Sequence, residues 1–198
     1  MTPDLSWQPA ATTELVLDRS RMLEHIRSFF RDRDVMEVET PILGRSTAID
    51  PHLISFVTRD NSESWYLQTS PEFHMKRLLA AWMDSIYQIC KSFRQGETGA
   101  LHNPEFSILE WYRIGFNQHA LMDEVEELVA GILGLGKFVR VSYSSLFEEF
   151  FEVNPHQTSI NDLKKLVKEY VSIGQGQMEV MERSQGFYAA WILTVMFL

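Results

Sequence analysis

The chain of 198 residues is long enough for one substantial domain, and its 45% hydrophobic and 23% charged content is ordinary for a globular protein. A net charge of −9 and a pI of about 5.1 exclude a broadly basic surface for nucleic acid or anionic membranes, although a local basic groove stays compatible with them. A single cysteine, Cys90, excludes an internal disulfide.

The N-terminal stretch is polar. We expect residues 1–14 to form an arm, because this stretch contains two prolines and shows no helical pattern of apolar residues. It lacks a basic segment followed by an apolar one, so we expect no secretory signal and a cytoplasmic location.

The first regular elements are a helix and a short strand. Apolar residues recur at helical spacing between 15 and 34, which predicts one amphipathic helix. Residues 35–39 predict a strand that ends at Thr40-Pro41, because proline cannot donate to a ladder. Residues 42–52 are expected to be a loop.

A hairpin and a second helix follow. Residues 53–57 and 65–68 predict two strands over the polar turn 59–64. Ser70 is expected as the N-cap of a helix to about Met83, with Pro71 in its first position and Glu72 in its first turn. Glu72 has an ordinary structural explanation, since acids favour helix N-termini. Four side chains are available for packing: Phe73, Leu78, Leu79 and Trp82.

A second hairpin has one unusually polar face. Alternation along 86–94 and 105–113 predicts two strands joined by a polar loop. If they pair antiparallel, Arg94, Phe106, Glu110 and Tyr112 share one face with Ile86, Gln88, Cys90, Ser92 and Ile108. An arginine, an aromatic ring, a carboxylate and a phenol suit a nucleotide. The alternative is a hairpin whose polar face simply contacts water.

The C-terminal part is predicted to be mostly helical. A helix over 119–133 ends at Gly134, with Asp123, Glu124, Glu126 and Glu127 as its solvated face. Residues 138–141 predict a short strand, and helices follow over 143–151 and from Ser159 to Tyr170. Residues 178–198 form an atypical apolar tail, whose last 12 residues are nearly all apolar but fewer than the roughly 20 that a membrane-spanning helix needs.

Several catalytic signatures are missing from the sequence. It has no Walker loop, no GxGxxG before a helix and no CxxC or HExxH pattern, so no metal site is predicted. Cys90 is expected to be a packed residue in a strand.

Three segments nevertheless carry a family resemblance. They are the first helix with VMEVETPIL (35–43), TSPEFHMKRLL (69–79) and FRQGETGALHNPEFSILEWY (93–112). They resemble motif 1, the TSPE segment and motif 2 of class II aminoacyl-tRNA synthetases of the lysyl type. The chain is most similar in these segments to the elongation factor P–(R)-β-lysine ligases.

The resemblance implies an α+β fold, a class II synthetase-like antiparallel sheet flanked by helices over residues 15–177. It implies an enzyme that uses ATP and Mg²⁺ to activate (R)-β-lysine as an adenylate, and then transfers the β-lysyl group to a lysine of elongation factor P. It also implies a homodimer through motif 1. No segment matches the oligonucleotide-binding fold that precedes the lysyl-tRNA synthetase domain, so tRNA is not expected as a partner.

The same resemblance assigns roles to individual residues. Arg94 would stabilise charge on the α-phosphate and Phe106 would stack under adenine, with His102 and Asn103 near phosphate or ribose. Glu72 would bind a substrate ammonium, with Ser70 and Pro71 beside it and Tyr112 closing the pocket. The assigned residues are Ser70, Pro71, Glu72, Arg94, Gly96, Glu97, His102, Asn103, Phe106 and Tyr112.

The sequence departs from the family in two places. Gly96 stands where lysyl-type motif 2 usually has glutamate, and Glu97 follows, so either position could supply the adenine contact. No motif 3 is recognised, which predicts a fold incomplete at its C-terminus and an impaired enzyme. The alternatives are a lysyl-tRNA synthetase fragment, a non-catalytic paralogue and an inactive truncated product.

Overall fold

The computed structural model describes residues 8–50, 53–99 and 102–170, with the backbone alone for 167–170. Half of the expected N-terminal arm and the whole apolar tail therefore lie outside the described residues. The described chain forms two compact units, one ending at Lys137 and the other beginning at Phe138. Within the described ranges, no helix combines the length and the apolar character needed to cross a bilayer.

The first unit contains three helices and six strands, and the second unit contains two helices. The elements of the first are α1 (Thr13–Arg31), β1 (Met36–Glu37), β2 (Leu43–Gly44), β3 (Val57–Asp60), β4 (Glu63–Leu67), α2 (Glu72–Trp82), β5 (Ile86–Phe93), β6 (Glu105–Tyr112) and α3 (Gln118–Leu133). The second unit contributes α4 (Tyr143–Phe151) and α5 (Ile160–Tyr170).

The strands of the first unit form two small sheets. In one, β5 lies between β1 and β6; in the other, β4 lies between β2 and β3. The predicted hairpin of β5 and β6 is confirmed as antiparallel. The expectation of a purely antiparallel sheet is wrong for β1, which runs parallel to β5. A parallel neighbour needs a long crossover, which the second sheet and α2 provide here.

The core of the first unit lies behind the hairpin of β5 and β6. Phe30 of α1 is fully buried, and its ring stacks on Tyr87 of β5 with 4.4 Å between the centroids. The Trp111 ring of β6 lies 5.6 Å from Phe30. Leu128 brings α3 into the same cluster. Helices pack on one face of the hairpin, and on the other face the β6 side chains are only partly buried, so they can line a site.

Helix α1 confirms the predicted amphipathic helix, with both ends displaced. It begins at Thr13, because the Thr12 hydroxyl accepts a hydrogen bond from the backbone N–H of Leu15. It ends at Arg31, before Asp34, whose φ of 53° is incompatible with a right-handed helix.

The second sheet corrects two predictions. Strand β2 lies inside the segment predicted to be a loop, and β3 begins at Val57 instead of Leu53. All four β3 residues are exposed, so no alternation of buried and exposed side chains marks this strand in the sequence. The hairpin itself is confirmed, with a turn in which Asn61 takes a φ of 54°.

Helix α2 begins one residue later than predicted. Ser70 is not its N-cap: Pro71 precedes the first helical residue, and no side chain caps the helix. The Glu72 carboxylate in the first turn stabilises this end electrostatically, as predicted. Phe73 and Trp82, expected to pack, are more than half exposed, and Met75 is the buried residue of this helix.

The second unit also differs from its prediction at one point. Residues 138–141 form no strand, and Val139 in this segment is exposed. Both predicted helices are confirmed. Ser142 caps α4 by accepting from the backbone N–H of Ser145, and Ser159 accepts from that of Asp162 at the start of α5.

We expect Phe30→Ala to lower the free energy of unfolding by about 3–5 kcal/mol, because it opens a cavity in the packed aromatic cluster. Urea denaturation measures the loss. Leu17→Ala on the same helix removes a half-exposed side chain and should change stability by only about 0.5 kcal/mol. Equal losses in the two variants would contradict the described core.

Candidate active site

The polar face of the hairpin is assembled by strand register. Gln88 pairs with Glu110, Ser92 with Phe106 and Ile86 with Tyr112. Residues directly opposite in an antiparallel pair project to the same side. The predicted gathering of an aromatic ring, a carboxylate and a phenol on one face is thus confirmed.

Arg94 lies at one end of this face, just beyond β5. Its guanidinium Cζ lies 4.9 Å from the centre of the Phe106 ring, and its Nε donates to the carbonyl of Thr69 at 3.3 Å. Glu97 lies 3.8 Å from Nη1. The structure therefore brings three of the predicted residues, Arg94, Glu97 and Phe106, together around one guanidinium.

The loop between the strands turns sharply. Gly96 has a φ of 87°, a conformation that side chains other than glycine rarely adopt. The backbone N–H of Gly99 donates to the carbonyl of His102 at 3.0 Å, and that of Arg94 donates to Pro104 at 2.9 Å. The side chains of His102 and Asn103 are exposed, so their contact with a ligand stays a prediction.

The TSPE segment runs alongside the start of this loop. The backbone N–H of Phe93 donates to the carbonyl of Gln68 at 2.9 Å, which fixes the segment against β5. Thr69 and Pro71 are buried and Ser70 is half-buried. Because the Thr69 carbonyl also accepts from Arg94, this segment and the guanidinium are held as one assembly.

The other end of the face is acidic. The Tyr112 hydroxyl donates to the Glu110 carboxylate at 2.6 Å, and Lys76 forms an ion pair with Glu72 on α2. Burial raises the pKa of the Glu110 carboxyl; the hydrogen bond from Tyr112 opposes that shift, and the charge of Glu72 adds to it. Burial, followed by the bond to Glu110, raises the pKa of Tyr112.

Glu110 is a candidate site residue to which the family resemblance assigns no role, although the sequence places its carboxylate on the predicted polar face. Strand alternation in the sequence indicates this position, because it places Glu110 between Ile108 and Tyr112 on the polar face. Alternation cannot predict the electrostatic effect of Glu72 on Glu110, because Glu72 lies on a different element.

Two residues of β5 on the same face have packed or paired side chains. Gln88 is buried and its Oε1 accepts from the Thr40 hydroxyl at 3.0 Å. Burial raises the pKa of the Cys90 thiol, which keeps it protonated. Cys90 is therefore the packed residue that the sequence predicts.

The back of β6 corrects the expected solvated face of α3. Asp123 and Glu127 are exposed, but Glu124 is only 5% exposed. Its carboxylate accepts from the Trp111 indole at 3.0 Å and lies 3.0 Å from the Arg113 guanidinium. The prediction for Glu124 is wrong because α3 packs on the back of the hairpin, where these two β6 side chains project.

Comparison with known proteins identifies the family of the chain. The chain matches a family model described as tRNA synthetases class II (D, K and N) over residues 5–191. An elongation factor P–(R)-beta-lysine ligase of Vibrio atlanticus is 46% identical over 166 residues, which are 81% of this chain and 51% of that protein. Proteins of the same name from Pseudoalteromonas translucida and an Enterobacter species are 46% and 40% identical, over 82% and 83% of this chain and 52% and 53% of their own lengths.

The chain thus spans about half the length of the curated relatives it matches. The resemblance to the elongation factor P ligases, drawn from motif 1, the TSPE segment and motif 2, is confirmed by these relatives. The chain belongs to the class II tRNA synthetases (D, K and N), a family of enzymes.

Proposed function

We propose that this chain serves an ATP-dependent ligase, which activates (R)-β-lysine as an aminoacyl adenylate and transfers the β-lysyl group to a lysine of elongation factor P. One observation carries the proposal. The hairpin face has a cationic, aromatic end at Arg94 and Phe106 and an acidic end at Glu110 and Tyr112. A substrate with an anionic head and ammonium groups, placed along this face, is complementary to both ends.

At the first end, Phe106 stacks under adenine and Arg94 binds the α-phosphate. Attack by the amino acid's carboxylate on that phosphate develops negative charge, which a guanidinium already fixed by Thr69 and Phe106 stabilises without reorganising. We assign the adenine contact to Glu97, with Gly96 shaping the loop. His102 and Asn103 complete this end beside phosphate or ribose.

At the acidic end, Glu72 and Glu110 provide two carboxylates for the two ammonium groups of β-lysine. Burial, and then the charge of Glu72, raise the pKa of Glu110 and so disfavour its ionised form. A bound ammonium favours the ionised form. Ser70 and Pro71 shape the wall beside Glu72, and Tyr112 closes the pocket.

The chemistry needs no nucleophilic side chain. Attack of the substrate carboxylate breaks the bond between the α- and β-phosphates, and pyrophosphate leaves. The ε-amine of the acceptor lysine then attacks the activated carbonyl, and AMP leaves with the bonding electrons of the mixed anhydride. The chain's contribution is position and electrostatics.

Magnesium would neutralise phosphate charge in such a reaction. Within the described ranges, no three His, Cys, Asp or Glu side chains gather as metal ligands would. An ion here would therefore be held mainly by the phosphates of ATP, since magnesium commonly takes only one or two protein carboxylates.

The protein acceptor is favoured by charge and by the relatives. The acidic chain offers no broad electrostatic attraction to tRNA, and the relatives above carry the name of the elongation factor ligase. We also propose a homodimer through α1 and β1, the elements that carry motif 1, and a cytoplasmic location.

We expect Arg94→Ala to weaken ATP binding by about tenfold to a hundredfold, the effect of losing a charge-assisted hydrogen bond of about 1.5–3 kcal/mol. Calorimetry on the chain measures the affinity. The control is Arg59→Ala, which removes an exposed arginine from β3. Unchanged affinity in Arg94→Ala would remove Arg94 from the site.

We expect a non-hydrolysable β-lysyl adenylate analogue to bind this chain more tightly than the α-lysyl analogue does. Calorimetry with the two analogues makes the comparison, and a transfer assay with elongation factor P against tRNA tests the acceptor. Tighter binding of the α-lysyl analogue together with charging of tRNA would instead identify a lysyl-tRNA ligase.

We expect Glu110→Gln to stabilise the fold at neutral pH and to weaken β-lysine binding. The folded pKa of Glu110 lies above its ordinary value, so the ionised carboxylate lowers stability at higher pH. The stability gain should be absent at low pH, where the carboxyl is protonated in both states, and should grow as pH rises through the raised pKa. Thermal unfolding between about pH 4 and 8 follows the gain.

The control is Glu105→Gln on the same strand, which removes an exposed carboxylate that pairs with Lys91 at the surface. Surface pairs contribute little, so both stability and affinity should be retained. Glu110→Gln with wild-type affinity for β-lysine would exclude Glu110 from the pocket.

A further inference from the structure

Glu124 is a buried carboxylate on the side of the hairpin away from the site. It is 5% exposed, and its Oε1 accepts from the Trp111 indole at 3.0 Å. Its Oε2 lies 3.0 Å from Arg113 Nε, and the Nε–H is not aimed at this oxygen, so the contact is an ion pair without an aligned hydrogen bond. Trp111 lies near the end of β6, and Arg113 directly follows the strand.

These two partners are the residues on either side of Tyr112. Along a strand, alternate side chains project to opposite faces. Trp111 and Arg113 therefore project backwards to α3, while Tyr112 projects to the site, where its hydroxyl contacts Glu110 at 2.6 Å. One carboxylate thus holds the backbone on both sides of a pocket residue.

Arg113 extends this anchor to other elements. Its Nη1 donates to the carbonyl of Arg33 at 3.4 Å, in the turn after α1, and its Cζ lies 4.5 Å from the centre of the Phe116 ring. The end of β6 is therefore connected to α3 and to the turn after α1 through Arg113. The Arg113 side chain is only 12% exposed.

Stability alone is a weak reason for this arrangement. Removing two charges from water costs several kcal/mol per ion, and a well-packed apolar pair of similar volume is often at least as stable. Apolar contacts have no preferred direction, so an apolar pair does not fix the orientation of its partners. An ion pair and an indole hydrogen bond fix where a strand end lies to within a fraction of an ångström, which a binding pocket needs.

We propose that Glu124 is a positioning residue for the amino-acid end of the site. It fixes the backbone at Trp111 and Arg113, so that the phenol of Tyr112 and the carboxylate of Glu110 are set for the substrate ammonium. This role of Glu124 rests on the proposed function. Glu124 itself does not contact the substrate.

The contacts of Glu124 lie at the Tyr112 end of β6, which predicts a selective effect. Tyr112 and Phe106 are six residues apart on the strand, which corresponds to about 20 Å. Loss of the Glu124 contacts should therefore not change nucleotide binding at Arg94 and Phe106. A general loss of folding would weaken both ends together.

The test is Glu124→Gln, with the affinities for β-lysine and for ATP measured separately by calorimetry. We expect β-lysine affinity to fall about tenfold, because small displacements of positioning groups have large effects, and ATP affinity to stay within about twofold. The matched control is Glu127→Gln, one turn further along α3, where the carboxylate is exposed. It should retain both affinities. Unchanged β-lysine affinity in Glu124→Gln, or a parallel loss of both affinities, would overturn the proposal.

Glu124→Gln leaves Arg113 as an unpaired buried charge and could therefore unfold the chain. A double variant tests the proposal in that case. Arg113→Met with Glu124→Gln removes both charges. We expect its melting temperature to return towards the wild-type value while β-lysine affinity stays low. Recovery of both would assign Glu124 a role in stability alone. A wild-type chain that binds ATP but no β-lysine would refute the proposed function itself, and this inference with it.

Discussion

The antiparallel pairing of β5 with β6 is the constraint on which both faces of the first unit depend. Its register sets Gln88 opposite Glu110 and Ser92 opposite Phe106. A slip of one residue would turn the site side chains into the core and expose Tyr87 and Trp111. The aromatic packing of Phe30 against Tyr87 therefore fixes more than stability. It selects the register that brings the site together.

The elements that the sequence predicts correctly are those with a strong local periodicity of apolar residues. Helix α3, the hairpin and the polar face were predicted because periodicity over eight or more residues distinguishes buried from exposed positions. Prediction failed where the pairing partner is distant. Strand β2 is two residues long, and only its partner β4 makes it a strand. Likewise, Ser70 has the chemistry of an N-cap, but the residue after it, Pro71, takes that position.

In the candidate site, too, local patterns are predictable from the sequence and long-range contacts are not. Arg94 and Phe106 follow from alternation and from the family resemblance, and the structure brings them together. The carbonyl of Thr69 that holds Arg94 could not be foreseen, since a backbone atom carries no sequence signal. Glu124 was misassigned for a related reason. Its neighbours in sequence, Asp123 and Glu127, are exposed, and only the packing of α3 shows which acid faces inwards.

Strand β6 and the helix behind it thus hold two carboxylates, the half-buried Glu110 and the buried Glu124, in different electrostatic conditions. Glu124 has an arginine and an indole N–H as partners, so its charge is compensated within the protein. Glu110 has a phenol as its donor, and the charge of Lys76 only partly offsets that of Glu72 nearby, so its own charge is compensated less completely. Burial alone does not distinguish a structural acid from a binding one. The difference lies in whether the fold supplies the countercharge, and on this ground Glu110 is the candidate for binding a cationic ligand.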